Sequence, residues 1–99
     1  MTRSIKTAKL ERMAETLRFL GDTSRFALIL HLQKQGNGLY VHEIAEALEV
    51  SHSAASHQLG SLLARGIVED VREGQMVRYV LAKTPAAKRA MRLFRAMQR

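Results

Sequence analysis

"EVSHSAASHQLGSLLARGIV", Glu49 to Val68, is the stretch that decides how this chain is read. From Ser51 to Ala64 it holds no Lys, Arg, Asp or Glu, although a quarter of the chain is charged. Ser51, His52, Ser53, Ser56, His57, Gln58 and Ser61 stand in their place. Three chemistries use such a set: a Ser/His nucleophile, a metal site, or a surface that reads a polar partner.

The apolar positions inside the stretch, Ala54, Ala55, Leu59, Leu62 and Leu63, recur with helical period. Ser51 is a good N-cap and Gly66 a left-handed C-cap. Just upstream, "VHEIAEAL" (Val41 to Leu48) is a shorter helix with Val41, Ile44, Ala45 and Leu48 facing inward, and "EVS" turns it into the next. Two helices joined by a tight turn, the second with a polar face, predict a helix-turn-helix. After Gly66 the period changes to that of strands. "IVEDV" and "MVRYVL" flank "REGQ" (Arg72 to Gln75), where Gly74 supplies the positive φ of a hairpin turn. Val77, Tyr79 and Leu81 alternate against Arg78 and Val80, so the hairpin is a wing.

Outside this unit lie three more helices. The first runs from about Thr7 to Leu20 with Leu10, Met13, Leu17 and Leu20 on one stripe, and Gly21 ends it. Asp22 caps the second, which carries Phe26, Ile29, Leu30 and Leu32 and stops before "GNG". The last starts near Pro85, with Ala87, Met91, Phe94 and Met97 on one face and Lys88, Arg92, Arg95 and Arg99 on the other. The expected fold is one domain over residues 1–99, mostly α with a small β-hairpin. It is a winged helix-turn-helix of five helices and a two-stranded wing, in the order four helices, two strands, one helix. The terminal helices, about 7–20 and 85–98, carry apolar stripes that a small core cannot cover. A dimer seam of Leu10, Met13, Leu17, Met91, Phe94 and Met97 is expected.

The missing charge now has a physical reason. Base edges are read by neutral hydrogen-bonding groups as well as by Arg, while cations at the periphery hold phosphates. Ser53, Ser56, His57 and Gln58, with His52 beside them, are the expected base readers. Arg72, Gln75 and Arg78 in the wing are expected to lie along the backbone, with Arg3, Lys6 and Lys9 adding charge at the N-terminus. A hydrolase is not expected. Ser53 and His57 are i and i+4, but no acid on that helix orients the imidazole and no oxyanion-forming glycine loop follows. The chain is read as a non-enzyme with no catalytic residue and no cofactor.

Composition agrees. A formal net charge of +7 over 99 residues favours an anionic partner such as double-stranded DNA. The absence of cysteine excludes a disulfide framework, a zinc ribbon and a thiolate switch. The N-terminal "MTRSIKTAKLERMAE" resembles no signal peptide, and no apolar run of about 18 residues suggests a membrane span. A cytoplasmic location without membrane contact is the expectation.

Three stretches resemble the ArsR/SmtB winged-helix repressors. "FLGDTSRFALILHL" is similar to their "ALxDPTRLxIL"-type second-helix string, "HEIAEALEVSHSAASHQLGSLLARGIV" to their helix-turn-helix, and "REGQMVRYVL" to their wing. Together they cover about Leu17 to Leu81, and the "SHQL" run at Ser56 to Leu59 is the most specific part. The resemblance implies a homodimeric repressor whose terminal helices form the interface and whose two recognition helices meet successive major grooves of a palindromic operator. It also implies release by an inducer, often a metal ion.

At the metal sites this chain departs from the family. Tyr40 and His42 occupy the positions of the family's third-helix "C-x-C" pair. The last-helix site of Asp/Glu and His has no counterpart, since Gly74 to Arg99 contains neither acid nor histidine. A metal site is therefore not expected, and the inducer is unknown. Two other readings stay open: a metal-responsive repressor using His42, His31 and further ligands, and a sequence-tolerant architectural DNA-binding protein. In the second, the seven cations after Glu73 would clamp phosphates.

Overall fold

The computed structural model describes residues 4–98. Arg3 and Arg99 lie outside the described residues. Helix α1 spans Ala8–Leu20, capped by the Thr7 hydroxyl, which accepts from the Leu10 amide at 3.1 Å. Only Phe19 and Leu20 of α1 are buried. Helix α2, Thr23–Lys34, begins where the Asp22 carboxylate accepts from the Arg25 amide at 3.1 Å. Leu28, Ile29 and Leu32 are buried on it, and Phe26 and Leu30 pack against the core from its edge. Leu28 was not on the expected face. The helix is apolar nearly all round because it packs against α1, the third helix and the sheet together.

Strand β1, Leu39–Tyr40, leads into α3, Val41–Leu48; α4, His52–Ala64, follows. Strands β2, Val68–Glu73, and β3, Met76–Leu81, form the wing, and α5 covers Pro85–Met97. The sheet has three strands in the order β1-β3-β2, all antiparallel. The short β1 adds to the expected two-stranded wing: Leu39 pairs with Tyr79 and Tyr40 with Arg78. Two residues carry no readable period, so only pairing reveals the strand. Gly38 makes that pairing possible. Its φ is +89°, and a Cβ there would sit 2.5 Å from Val80 Cγ1.

The turn between α3 and α4 uses Glu49 at φ 56°, a left-handed position more often filled by glycine. Ser51 then caps α4 by accepting from the Ala54 amide at 3.0 Å. Ala55, Leu59 and Leu62 are fully buried and hold α4 on the core. Beyond Gly66 (φ +71°) the chain enters β2. Glu73 pairs with Met76, leaving Gly74 (φ +63°) and Gln75 as the two-residue turn. The Thr84 hydroxyl donates to the Gly66 carbonyl at 2.5 Å and accepts from the Ala87 amide at 3.1 Å, fixing the start of α5 against the end of α4.

Candidate nucleic-acid interface

Helix α4 is fixed by its apolar line, and its outward residues follow from helix geometry. At about 100° per residue, Ser53 and His57 fall on the side opposite Ala55, Leu59 and Leu62, and Ser56 lies about 90° from that line. All three are exposed, as is His52 at the helix start. Gln58 differs. It lies about 60° from the core line, is half-buried, and its Oε1 is shut off from solvent without a hydrogen-bond partner. Its amide sits at the edge of the exposed polar face rather than on it.

In the wing, Arg72 and Gln75 are exposed at either side of the turn. Arg78 is half-buried and already engaged. Its Nε donates to Glu73 at 2.5 Å, and its guanidinium also donates to the Asn37 carbonyl. Glu73 in turn accepts from the Tyr40 hydroxyl at 3.4 Å. Arg78 therefore ties the wing to the loop before β1. The sequence sets Arg78 inside a strand and Arg72 beside the turn; the bonds of Arg78 to Glu73 and Asn37 follow only from tertiary contacts. Lys6 and Lys9 are exposed.

His42 is exposed on the first turn of α3 and stacks on Tyr40, centroids 5.9 Å apart and planes 6° from parallel. His31 is half-buried on α2. Among the described residues no three His, Asp or Glu side chains come together as a metal would require.

The expected seam residues divide into two groups. Leu10, Met13 and Leu17 are exposed on α1, Leu17 by 59%, and Met97 is exposed on α5. Met91 and Phe94 are not at the surface: Phe94 is 2% exposed, its ring 4.3 Å from that of Phe26, and Met91 is 8% exposed. They belong to the core of the single chain because α5 carries two adjoining apolar stripes. Ala87, Met91 and Phe94 turn into the core, while Ala86, Ala90 and Leu93 face the groove beside α1, and Met97 continues their stripe exposed to solvent. Leu93, 42% exposed, was missed, though its spacing from Ala86, Ala90 and Met97 is readable. Between α1 and α5 lies an apolar groove of about 550 Å³, walled by Met13, Leu17, Leu20, Ala90 and Leu93.

A three-helix core, a helix-turn-helix and a β-hairpin directly after the recognition helix define a winged helix-turn-helix. The family described as helix-turn-helix domain matches residues 20–71, more than half the chain. The transcriptional repressor SmtB homolog of Synechocystis sp. is 42% identical over 72 residues, covering 73% of this chain and 53% of that protein. This chain thus spans about half the length of the curated relative it matches. The homodimeric winged helix-turn-helix DNA-binding domain of Mb0332 from Mycobacterium bovis, a possible ArsR-family regulator, superposes with TM-score 0.70 at 29% identity. That superposition covers 99% of this chain and 86% of that one. The transcriptional repressor BigR from Xylella fastidiosa gives TM-score 0.68 at 26% identity, over 89% of this chain and 85% of its own. The chain belongs to the helix-turn-helix family and, within it, to the ArsR/SmtB winged-helix proteins. No helix among the described residues is long and apolar enough to cross a membrane.

Proposed function

We propose that this chain is a homodimeric, sequence-specific DNA-binding repressor of the ArsR type, one domain acting in the cytoplasm and catalysing no reaction. The observation that carries this is the exposed, uncharged face of α4: His52, Ser53, Ser56 and His57 project from the second helix of the motif. Neutral donors and acceptors there match base edges, and exposed Arg72 and Gln75 in the wing suit the flanking backbone. Arg78 serves the wing from within, and Gln58 reads a base only by turning its amide outward.

Dimerisation is supported by shape and by the exposed stripes. The radius of gyration is 15.4 Å, against roughly 13 Å for a compact chain of this length. Leu10, Met13, Leu17, Leu93 and Met97 leave an apolar face of the kind a second copy covers. A two-fold dimer brings two α4 helices to a palindromic operator. The metal-free reading rests on ligand chemistry. Arsenite and Cd²⁺ favour thiolates, and there are none. His42 stands beside Tyr40 rather than beside further ligands.

The test is a binding isotherm on an inverted repeat from the DNA flanking the gene, against a scrambled duplex. Preference for the repeat by about a thousandfold or more supports a specific repressor. Equal affinity for both duplexes assigns the chain to architectural binding instead. Stoichiometric release by Zn²⁺ or Ni²⁺ that disappears in His42→Ala would make it a metal sensor.

A further inference from the structure

Away from the reading face, two guanidinium groups stack on one ring. The Arg25 guanidinium carbon lies 4.1 Å from the Phe19 ring centroid and that of Arg65 lies 3.8 Å from it. Arg25 comes from the first turn of α2 and Arg65 from the C-cap of α4. Arg18, on α1, opens on the same depression of about 540 Å³, which Ser61 and Ala64 of α4 complete. A single carboxylate, Glu15, stands among the three cations. It accepts two hydrogen bonds from Arg65, one of them 2.8 Å, and these hold its pKa below the ordinary carboxylate value. Arg25 is less well served. One terminal nitrogen donates to the Phe19 carbonyl at 3.2 Å, while its Nε is closed off from solvent with no acceptor.

Three cations against one anion leave the depression with an unbalanced positive charge. One kind of ligand relieves it. An oxyanion offers several acceptor atoms, and the guanidinium fork matches carboxylate and phosphate geometry. We propose that this depression binds a small oxyanion, the carboxylate or phosphate group of a small molecule. Arg18 and Arg25 are its charged partners, and Glu15 is a built-in competitor that holds Arg65 when the site is empty. Phe19, buried beneath both guanidinium groups, holds Arg25 and Arg65 in place rather than meeting the ligand. Ser61 sits one turn beyond His57 and donates to its carbonyl at 3.3 Å. Occupancy would thus be felt one helical turn from the reading face; only this consequence rests on the repressor reading.

Binding is tested on the whole chain without DNA, so that its failure is separate from failure of the repressor reading. Inorganic phosphate and citrate are titrated by calorimetry at an ionic strength of about 0.15 M, which screens diffuse attraction. A saturable signal of one anion per chain is expected. Arg18→Gln should weaken it by roughly fivefold or more, the loss of one charge-assisted hydrogen bond. Lys88→Gln, removing the same charge from the exposed face of α5, should leave it unchanged. Glu15→Gln should tighten it, because Arg65 is released to the ligand. Equal weakening by Arg18→Gln and Lys88→Gln would reduce the effect to general attraction by a basic chain and overturn the site. Unchanged affinity in Glu15→Gln would overturn the competitor role. If Arg18→Gln instead lowers the salt dependence of duplex binding and leaves anion binding intact, the cluster serves the DNA backbone.

Discussion

Helices α1 and α4 are both 13 residues long, both capped by a side-chain hydroxyl, and both show a full face to solvent. Their faces are chemically opposite. Helix α4 buries Ala55, Leu59 and Leu62 and presents serine and histidine. Helix α1 buries only Phe19 and Leu20 at its end and presents Leu10, Met13 and Leu17. An exposed face rich in neutral hydrogen-bonding groups costs nothing in water and is available to a polar partner. An exposed apolar stripe has a standing incentive to leave water. Exposure alone is therefore not informative; its chemistry is, and the function proposed above assigns base edges to the polar face and a second copy to the apolar one.

The largest effect is expected where neither partner is involved. Phe94→Ala should cost about 3–5 kcal/mol of stability, because it empties a core position packed against the tilted ring of Phe26. Denaturant unfolding measures this. A loss confined to the dimer equilibrium, with the monomer unaffected, would return Phe94 to the seam and break the contrast drawn here.

Leu17→Asp tests the apolar face directly. Burying a leucine side chain contributes about 1.5–3 kcal/mol, so the dimer should weaken by tenfold or more at each copy. The fold should survive, since Leu17 is 59% exposed in the single chain. Sedimentation reports the dimer and circular dichroism the fold. A wild type that sediments as a monomer at micromolar concentration would remove the seam altogether.

On the polar face, His57→Ala should weaken binding to the operator by roughly 1–3 kcal/mol while sparing a scrambled duplex. Gln58→Ala should show less discrimination, because that side chain is half-buried. Comparable losses on both duplexes would mean that α4 touches only backbone.

In the wing, Arg72→Ala should flatten the salt dependence of binding, its slope falling in magnitude by about 0.9. Arg78→Ala should change the slope less, since Arg78 is bonded to Glu73 and Asn37. Equal slope changes would show that DNA draws Arg78 out of its internal bonds.

The smallest effect concerns Glu15. The hydrogen bond from Arg65 lowers its pKa, with the charges of Arg65 and Arg18 adding to that shift. A depressed carboxyl stabilises the fold above its unfolded pKa, and that stability is lost as pH falls through the folded value. Acid titration of melting temperature should therefore be slightly steeper below about pH 4 in the wild type than in Glu15→Gln. Identical profiles would mean that the exposed pair contributes nothing.

Much of this architecture was legible because it rests on local rules. Ser51 and Asp22 cap helices through their own side chains. Gly74 turns the hairpin through its positive φ. Ser53 and His57 follow as outward once the apolar line of α4 is known, and His52 is exposed because it starts the helix. What escaped was non-local. Strand β1 exists only by pairing with β3, and Arg78 differs from Arg72 only through Glu73 and Asn37.

The amino-acid sequence by itself determined the five helices, the wing and the polar reading helix, since period, caps and turn residues act within a few positions along the chain. Tertiary structure alone decided which apolar stripe of α5 enters the core. Both stripes are hydrophobic and continuous, and the choice between them depends on Phe26 standing 4.3 Å from Phe94. It also decided that Arg18, Arg25 and Arg65 meet around Phe19, since they come from three helices whose approach no sequence spacing records.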